Sequence, residues 1–182
     1  GEVIARASAV SPLSMPYVPG LLAFRQGEPT GAAPAALDVD PDLLVFDGSG
    51  RIHYRQAGLA THMGVVLDTP SVGVAKSLLC GTPRRSTDGL PEGARVPIDA
   101  DENVEALRGE IGPSGEPIGH AVQTRQYDSP NRHVNPVFVS PGHRVAAASA
   151  ADHAEALCEG YKLPEPIRLA DSYADEVKQA TS

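Results

Sequence analysis

Apolar residues recur along this chain in short runs of two distinct periods, and those runs mark out its elements. "EVIARASAV" (2–10) sets β-branched and apolar residues near period two and predicts a strand. "LLAFRQ" (21–26) follows a rigid turn at Pro16, Pro19 and Gly20 with helical spacing, and Pro29, Gly31 and Pro34 are expected to end that helix early. "DLLVF" (42–46) is a continuous apolar run, the pattern of a strand buried on both faces. "GLATHMGVVLD" (58–68) predicts an amphipathic helix and "SVGVAK" (71–76) a second buried strand. Strand, helix, strand in that order predicts a right-handed crossover between parallel neighbours.

Residues 81–116 are rich in Gly, Pro, Asp and Glu, and 82–116 is read as one long loop region. "EPIGHAVQTR" (116–125) and "NPVFVSPGHR" (135–144) predict two more strands, antiparallel to each other. "AASAADHAEALCEGY" (147–161) and "RLADSYADEVKQA" (168–180) predict helices, the second mostly polar. The fold class is α/β, a mixed sheet of about five strands with flanking helices, in a single domain over residues 1–182.

Composition narrows this without changing it. A chain of 182 residues with 41% hydrophobic and 21% charged residues is long and apolar enough for one real core. No apolar run approaches the ~20 residues of a membrane span, and no secretory signal pattern opens the chain, so no membrane association is expected. Cys80 and Cys158 form no CxxC pair, which fits a reducing, cytoplasmic setting. A net charge of −8 argues against a bulk polyanion binder. The charge is uneven, however: Arg51, Arg55, Lys76, Arg84 and Arg85 face only Asp68 between positions 50 and 85, whereas the tail from Ser149 is acidic. That distribution fits a local basic face or an ordinary solvated surface.

Asp47 closes a predicted buried strand and runs straight into "GSG", the place where α/β enzymes carry catalytic groups and also where Asp-Gly serves as plain turn chemistry. Gly48 and Gly50 could let a flat ligand reach the backbone, or could simply be turn glycines. Lys76 ends the next strand on the same side as Asp47, placed to neutralise a phosphate or to snorkel into water. The six histidines show no HxxxH or HxH spacing, which disfavours a zinc site. Ser49 lacks the G-x-S-x-G frame of a nucleophile elbow, and "SPGH" at His143 reads as a structural turn.

Four blocks carry a resemblance: "PYVPGLLAFRQ", "PDLLVFDGSGRIHYRQAGLATHMGVVLDTPSVGVAKSLLCG", "NPVFVSPGHR" and "YKLPEPIRLAD". Together and in this order they resemble the endonuclease V family, the deoxyinosine 3′ endonucleases with an RNase H-like fold. The resemblance implies an endonuclease that nicks nucleic acid at the second phosphodiester 3′ to inosine, in DNA repair. Its partner would be inosine-containing DNA, with RNA left open. Pro16, Tyr17, Val18 and Pro19 would form a wedge that enters the strand, Tyr17 stacking where the lesion base has left. Gly20, Leu22, Gly48, Gly50 and Gly58 would line the base pocket, and Lys76 would lie by the scissile strand.

The resemblance also implies Mg²⁺, or Mn²⁺ in its place, held by hard oxygen ligands. Asp47 matches the family's strand-end Asp and Asp171 its C-terminal acid, so these two are the expected metal ligands. The family's first-strand Asp has no counterpart here, and the fold is expected to lack that first strand and so to expose a sheet edge or leave a gap in the core. The family's helix reads Phe-Arg-Glu where this chain has Gln26, counted with Asp47, Asp171 and Lys76 as the catalytic set. Impaired cleavage is therefore expected, the alternative being an inactive inosine or lesion binder on the same fold.

Overall fold

The computed structural model describes residues 1–12, 15, 16, 18, 20–105, 115–129 and 131–181. In chain order the elements are α1 (Leu22–Ala35), β1 (Leu44–Asp47), α2 (Leu59–Val66), β2 (Ser71–Ala75), β3 (Thr82–Pro83), β4 (Arg95–Asp99), β5 (Gly119–Val122), β6 (Val137–His143), α3 (Ala147–Ala156) and α4 (Glu165–Thr181). The strands form one sheet in the order β1-β2-β6-β5-β4-β3. β1 and β2 are parallel, Leu44 facing Ser71 and Asp47 facing Val74, as their linking helix α2 predicts. All other neighbours are antiparallel, including the β5–β6 pair, which joins His120 to Val139 and Val122 to Val137.

The alternation of β2 distributes its side chains to two cores. Val72 and Val74 point to one face, where they meet Val122, Val137 and Val139 and the small residues Ala150, Ala151 and Ala154 of α3. Gly73 points to the other, toward the loop after β1. A Cβ on Gly73 would lie 2.3 Å from the Gly48 carbonyl and 2.5 Å from the Gly50 amide nitrogen, so only glycine lets that loop cross the strand. A second core holds Leu44 and Phe46 of β1 against Leu59, Ala60 and Met63 of α2, with Leu22 and Ala23 of α1 beside it. A third centres on Ile52, Val96, Ile98 and Ile118. Arg95 on β4 ties the sheet to α3 through ion pairs with Asp152 and Glu155.

Three local expectations are corrected. Residues 2–10 form no strand: no neighbouring strand takes up their backbone groups, and the segment lies along α4 instead. There the Arg6 guanidinium sits over the Tyr173 ring at 5.4 Å and the Gly1 amino group pairs with Glu159 at 2.7 Å. Segment and helix together enclose an apolar cleft of about 630 Å³. Second, α1 runs through both Pro29 and Pro34, although each removes an i→i−4 hydrogen bond. Packing overrides that cost, because α1 lies on α2 with Gly27 and Gly31 against the Met63 side chain. Third, the 82–116 region contains β3 and β4. Arg95-Val96-Pro97-Ile98-Asp99 alternates in burial, with Val96 and Ile98 fully enclosed. Pro97 sits opposite His120 of β5, and it is tolerated because its own hydrogen-bonding edge faces the two-residue edge strand β3, where its carbonyl accepts from the Arg84 amide at 2.9 Å.

Cys80 belongs to the third core, and burial, with Asp101 adding to it, pushes its thiol up to about 11. A thiol shifted upward stays protonated, and hence unreactive, through neutral pH and beyond. In native protein at pH 8, Cys80 is therefore expected to resist a disulfide reagent such as dithiobisnitrobenzoate and to react at once in urea. Rapid labelling of Cys80 in the folded state would contradict this packing.

Candidate active site

The loop after β1 has almost every backbone group assigned. The Gly48 amide donates to the Val74 carbonyl at 3.0 Å, continuing the parallel ladder for one residue. The Gly50 amide donates to Ser140 Oγ at 2.8 Å, and the Arg51 amide to the Pro141 carbonyl at 2.9 Å, so β6 holds the loop from behind. The carbonyls of Ser49 and Gly50 accept from the Ala60 and Gly58 amides at the start of α2, at 3.1 and 2.9 Å. Asp47 thus leaves the sheet at a fixed point, its carboxylate turned outward.

Lys76 stands beside it. The Lys76 ammonium lies 3.4 Å from Asp47 Oδ2, with the two side chains 53% and 47% exposed. At that exposure the pair contributes at most about 1 kcal/mol to stability, so its position matters more than its strength. A second ammonium is close by. Lys162 is held below the usual lysine range, first by burial and then by the charge of Lys76.

A cleft of about 360 Å³ opens at these strand ends. Gly20, Leu22, Gly48 and Gly58, together with Asp47 and Lys76, line it, so six of the thirteen sequence-predicted site residues come together. Gly50 does not. It is buried on the side of the loop that faces β6, and a Cβ there would lie 2.1 Å from the Pro141 carbonyl oxygen, so its role is to let β6 approach. Gln26 is half-buried on α1, one helical turn beyond Leu22 and so on the same helical face, but it is not part of the cleft wall. Asp171 is exposed on α4, a helix that packs against β1. Pro16 and Val18 are exposed in the turn before α1, whereas Tyr17 and Pro19 lie outside the described residues.

The sequence reading missed His53. It is buried, lines the cleft, and places Nε2 3.0 Å from the Gly20 carbonyl. A carbonyl only accepts, so Nε2 carries the proton, and Nδ1 is left to accept from the Arg55 amide at 3.2 Å. Burial, the largest influence, lowers the His53 pKa against the Gly20 contact, which raises it, and the Arg55 amide donating to Nδ1 is a bond that only the neutral ring can accept. The only sequence signal for it was its place three residues after the glycine turn that follows Asp47. Leu59, Leu78 and Leu79, the apolar part of the wall, gave no signal distinct from core residues.

The fit to a divalent cation is poor. Among the described residues, no three His, Cys, Asp or Glu side chains converge on a point where a metal could sit. Asp47 is occupied by Lys76, and position 26 offers a neutral amide.

A mixed sheet with an acid and a lysine at adjacent strand ends, flanked by helices on both faces, defines an RNase H-like α/β protein. The model of one family, Endonuclease V, matches residues 1–172, and the chain belongs to the endonuclease V family. Endonuclease V of Haloarcula marismortui is 64% identical over 179 residues, covering 98% of this chain and 64% of its own length. Endonuclease V of Halobacterium salinarum is 59% identical, with 97% and 66% covered. The chain therefore spans about two thirds of the length of the curated relatives it matches. Among solved structures, the Streptomyces avermitilis endonuclease V superposes with a TM-score of 0.75 at 39% identity, over 97% of this chain and 68% of that one. The Ciona intestinalis endonuclease V, solved with a 24mer DNA containing an inosine followed by a ribo-adenosine, gives 0.73 at 27% identity, over 94% and 71%. Among the described residues, no helix is long and apolar enough to cross a membrane.

Proposed function

We propose that this protein takes an inosine base, extruded from a DNA strand, into the glycine-lined cleft and acts there as an endonuclease on the strand 3′ to it. The observation that carries the reading is the cleft itself. Gly20, Gly48 and Gly58 keep its wall clear of side chains beside Asp47 and Lys76, which suits a flat base lying close to the main chain with its phosphate held by an ammonium. The inosine-containing DNA bound by the Ciona relative supports the choice of base. Lys76 would neutralise the phosphate, while neutral His53 keeps the Gly20 side of the pocket in place without adding charge.

Mg²⁺, or Mn²⁺ in its place, is the cation proposed for cleavage, supplying charge stabilisation at the phosphate. With Asp47 and Asp171 as the available carboxylates and Gln26 where the family has Glu, we expect it to be held weakly and cleavage to be impaired. The same observation favours a second reading, a binder of inosine-containing strands that does not cut.

Both readings predict preferential binding. An inosine-containing single strand should bind at least tenfold more tightly than its adenine counterpart, measured by fluorescence anisotropy. Lys76→Met should weaken both strands by a similar factor and lower the slope of log K against log salt by about one. Equal affinity for the two strands would sink the proposal, and an unchanged salt slope would remove Lys76 from the phosphate path.

A further inference from the structure

A second cleft, of about 320 Å³, lies on the far side of the Gly20–His53 hydrogen bond, sharing those two residues with the first. Its character is different. Four rings border it, those of Phe24, His62, His53 and Tyr54, and the Arg55–Glu105 ion pair stands at its rim at 3.7 Å. Phe24 meets His62 edge-on at 5.6 Å, and Tyr54 is tilted against His53 at 5.9 Å. The two imidazoles are fixed by backbone carbonyls of the glycine pocket. His62 Nδ1 donates to Gly58 at 2.9 Å, and His53 Nε2 to Gly20 at 3.0 Å. Phe24 and Tyr54, by contrast, remain 65% and 36% exposed.

An isolated exposed aromatic needs no explanation. Two of them, held against immobilised rings in one cleft that continues a ligand cleft, have a shared use. Flat π-faces with a donor and an acceptor at the rim match a nucleobase, whose face stacks and whose edge is polar.

We infer that this aromatic cleft is a stacking site for the nucleobase next to the one held in the glycine pocket, with Phe24 as its principal platform. The inference rests on the reading of the glycine cleft given above. Because the clefts share the Gly20–His53 wall, consecutive nucleotides of one strand can occupy both. A base held this way would keep the strand from sliding while its neighbour is extruded. Stacking is indifferent to base identity, so the site adds affinity without a strong sequence preference.

The test places 2-aminopurine immediately 5′ of inosine in one single strand and immediately 3′ in another. With native protein, binding should quench the fluorophore severalfold at one of the two positions. Phe24→Ala should remove that quenching and weaken binding about tenfold, while Phe24→Tyr retains both. An abasic site at the quenched position should weaken native binding by a similar factor and leave Phe24→Ala unaffected. Phe24 is largely exposed, so its truncation leaves the core intact, which a thermal melt will verify. Equal fluorescence and equal abasic sensitivity in native and Phe24→Ala protein, with inosine preference preserved, would overturn this site alone. Loss of inosine preference in native protein would overturn the glycine-cleft reading and this one with it.

Discussion

Gln26→Glu is expected to raise nicking of an inosine-containing strand by on the order of a hundredfold in Mg²⁺. The substitution keeps the shape of the side chain and adds one anionic oxygen ligand on the helical face that carries Leu22 toward the cleft. Position 26 is half-buried, so a carboxylate there is partly desolvated, a cost that a bound cation offsets. Titration calorimetry should accordingly show tighter Mg²⁺ binding by Gln26→Glu than by the native chain, whether or not a strand is present. An end-labelled strand cut equally fast by both proteins would mean that Gln26 suffices as a ligand or that position 26 lies off the reaction path. No cut by either would favour the binder.

The second large effect is on stability. Gly73→Ala should lower the unfolding free energy by about 3 kcal/mol or more, because its Cβ would press on backbone atoms, which cannot rotate away. Either β2 moves, opening the Val72 and Val74 contacts with α3, or the loop at Gly48–Gly50 lifts and carries Asp47 with it. Urea unfolding of native and Gly73→Ala protein measures the first outcome, and inosine-strand affinity the second. A variant within about 1 kcal/mol of native that binds normally would show that the loop crosses the strand less tightly than described.

Much of the fold was legible because the signals were local. Continuous apolar runs gave β1 and β2, the helical spacing between them gave α2, and the paired apolar segments at 119–122 and 137–143 gave the β5–β6 hairpin. What failed depended on partners that are distant in sequence. Residues 2–10 have strand character but a strand exists only as a pair, and the neighbour they found is a helix. Pro29 and Pro34 argue correctly for an interrupted helix until α2 supplies a surface to lie on. β4 was hidden by Pro97, which is disqualifying only where the missing N–H faces a neighbouring strand that needs it. In the site, Gly48 and Gly50 looked alike from the sequence, and only tertiary structure separates the one at the cleft wall from the one beneath β6. His53 was invisible because nothing local distinguishes a ring fixed by a carbonyl 33 residues away.

The clamp on the loop after β1 also has a bearing on when the cleft comes into being. Its anchors lie far along the chain: the Gly50 amide waits for Ser140, 90 residues later, and the Arg51 amide for Pro141. Bringing such distant segments together costs loop-closure entropy that short-range elements do not face, so the strand, helix, strand unit can form well before its loop is fastened. During synthesis, Asp47 and Lys76 would already be adjacent while the glycine wall was still unfastened. A bound strand would therefore stabilise the fold from β1 to β6 as one unit, and the protein's grip on its ligand should loosen together with its resistance to unfolding.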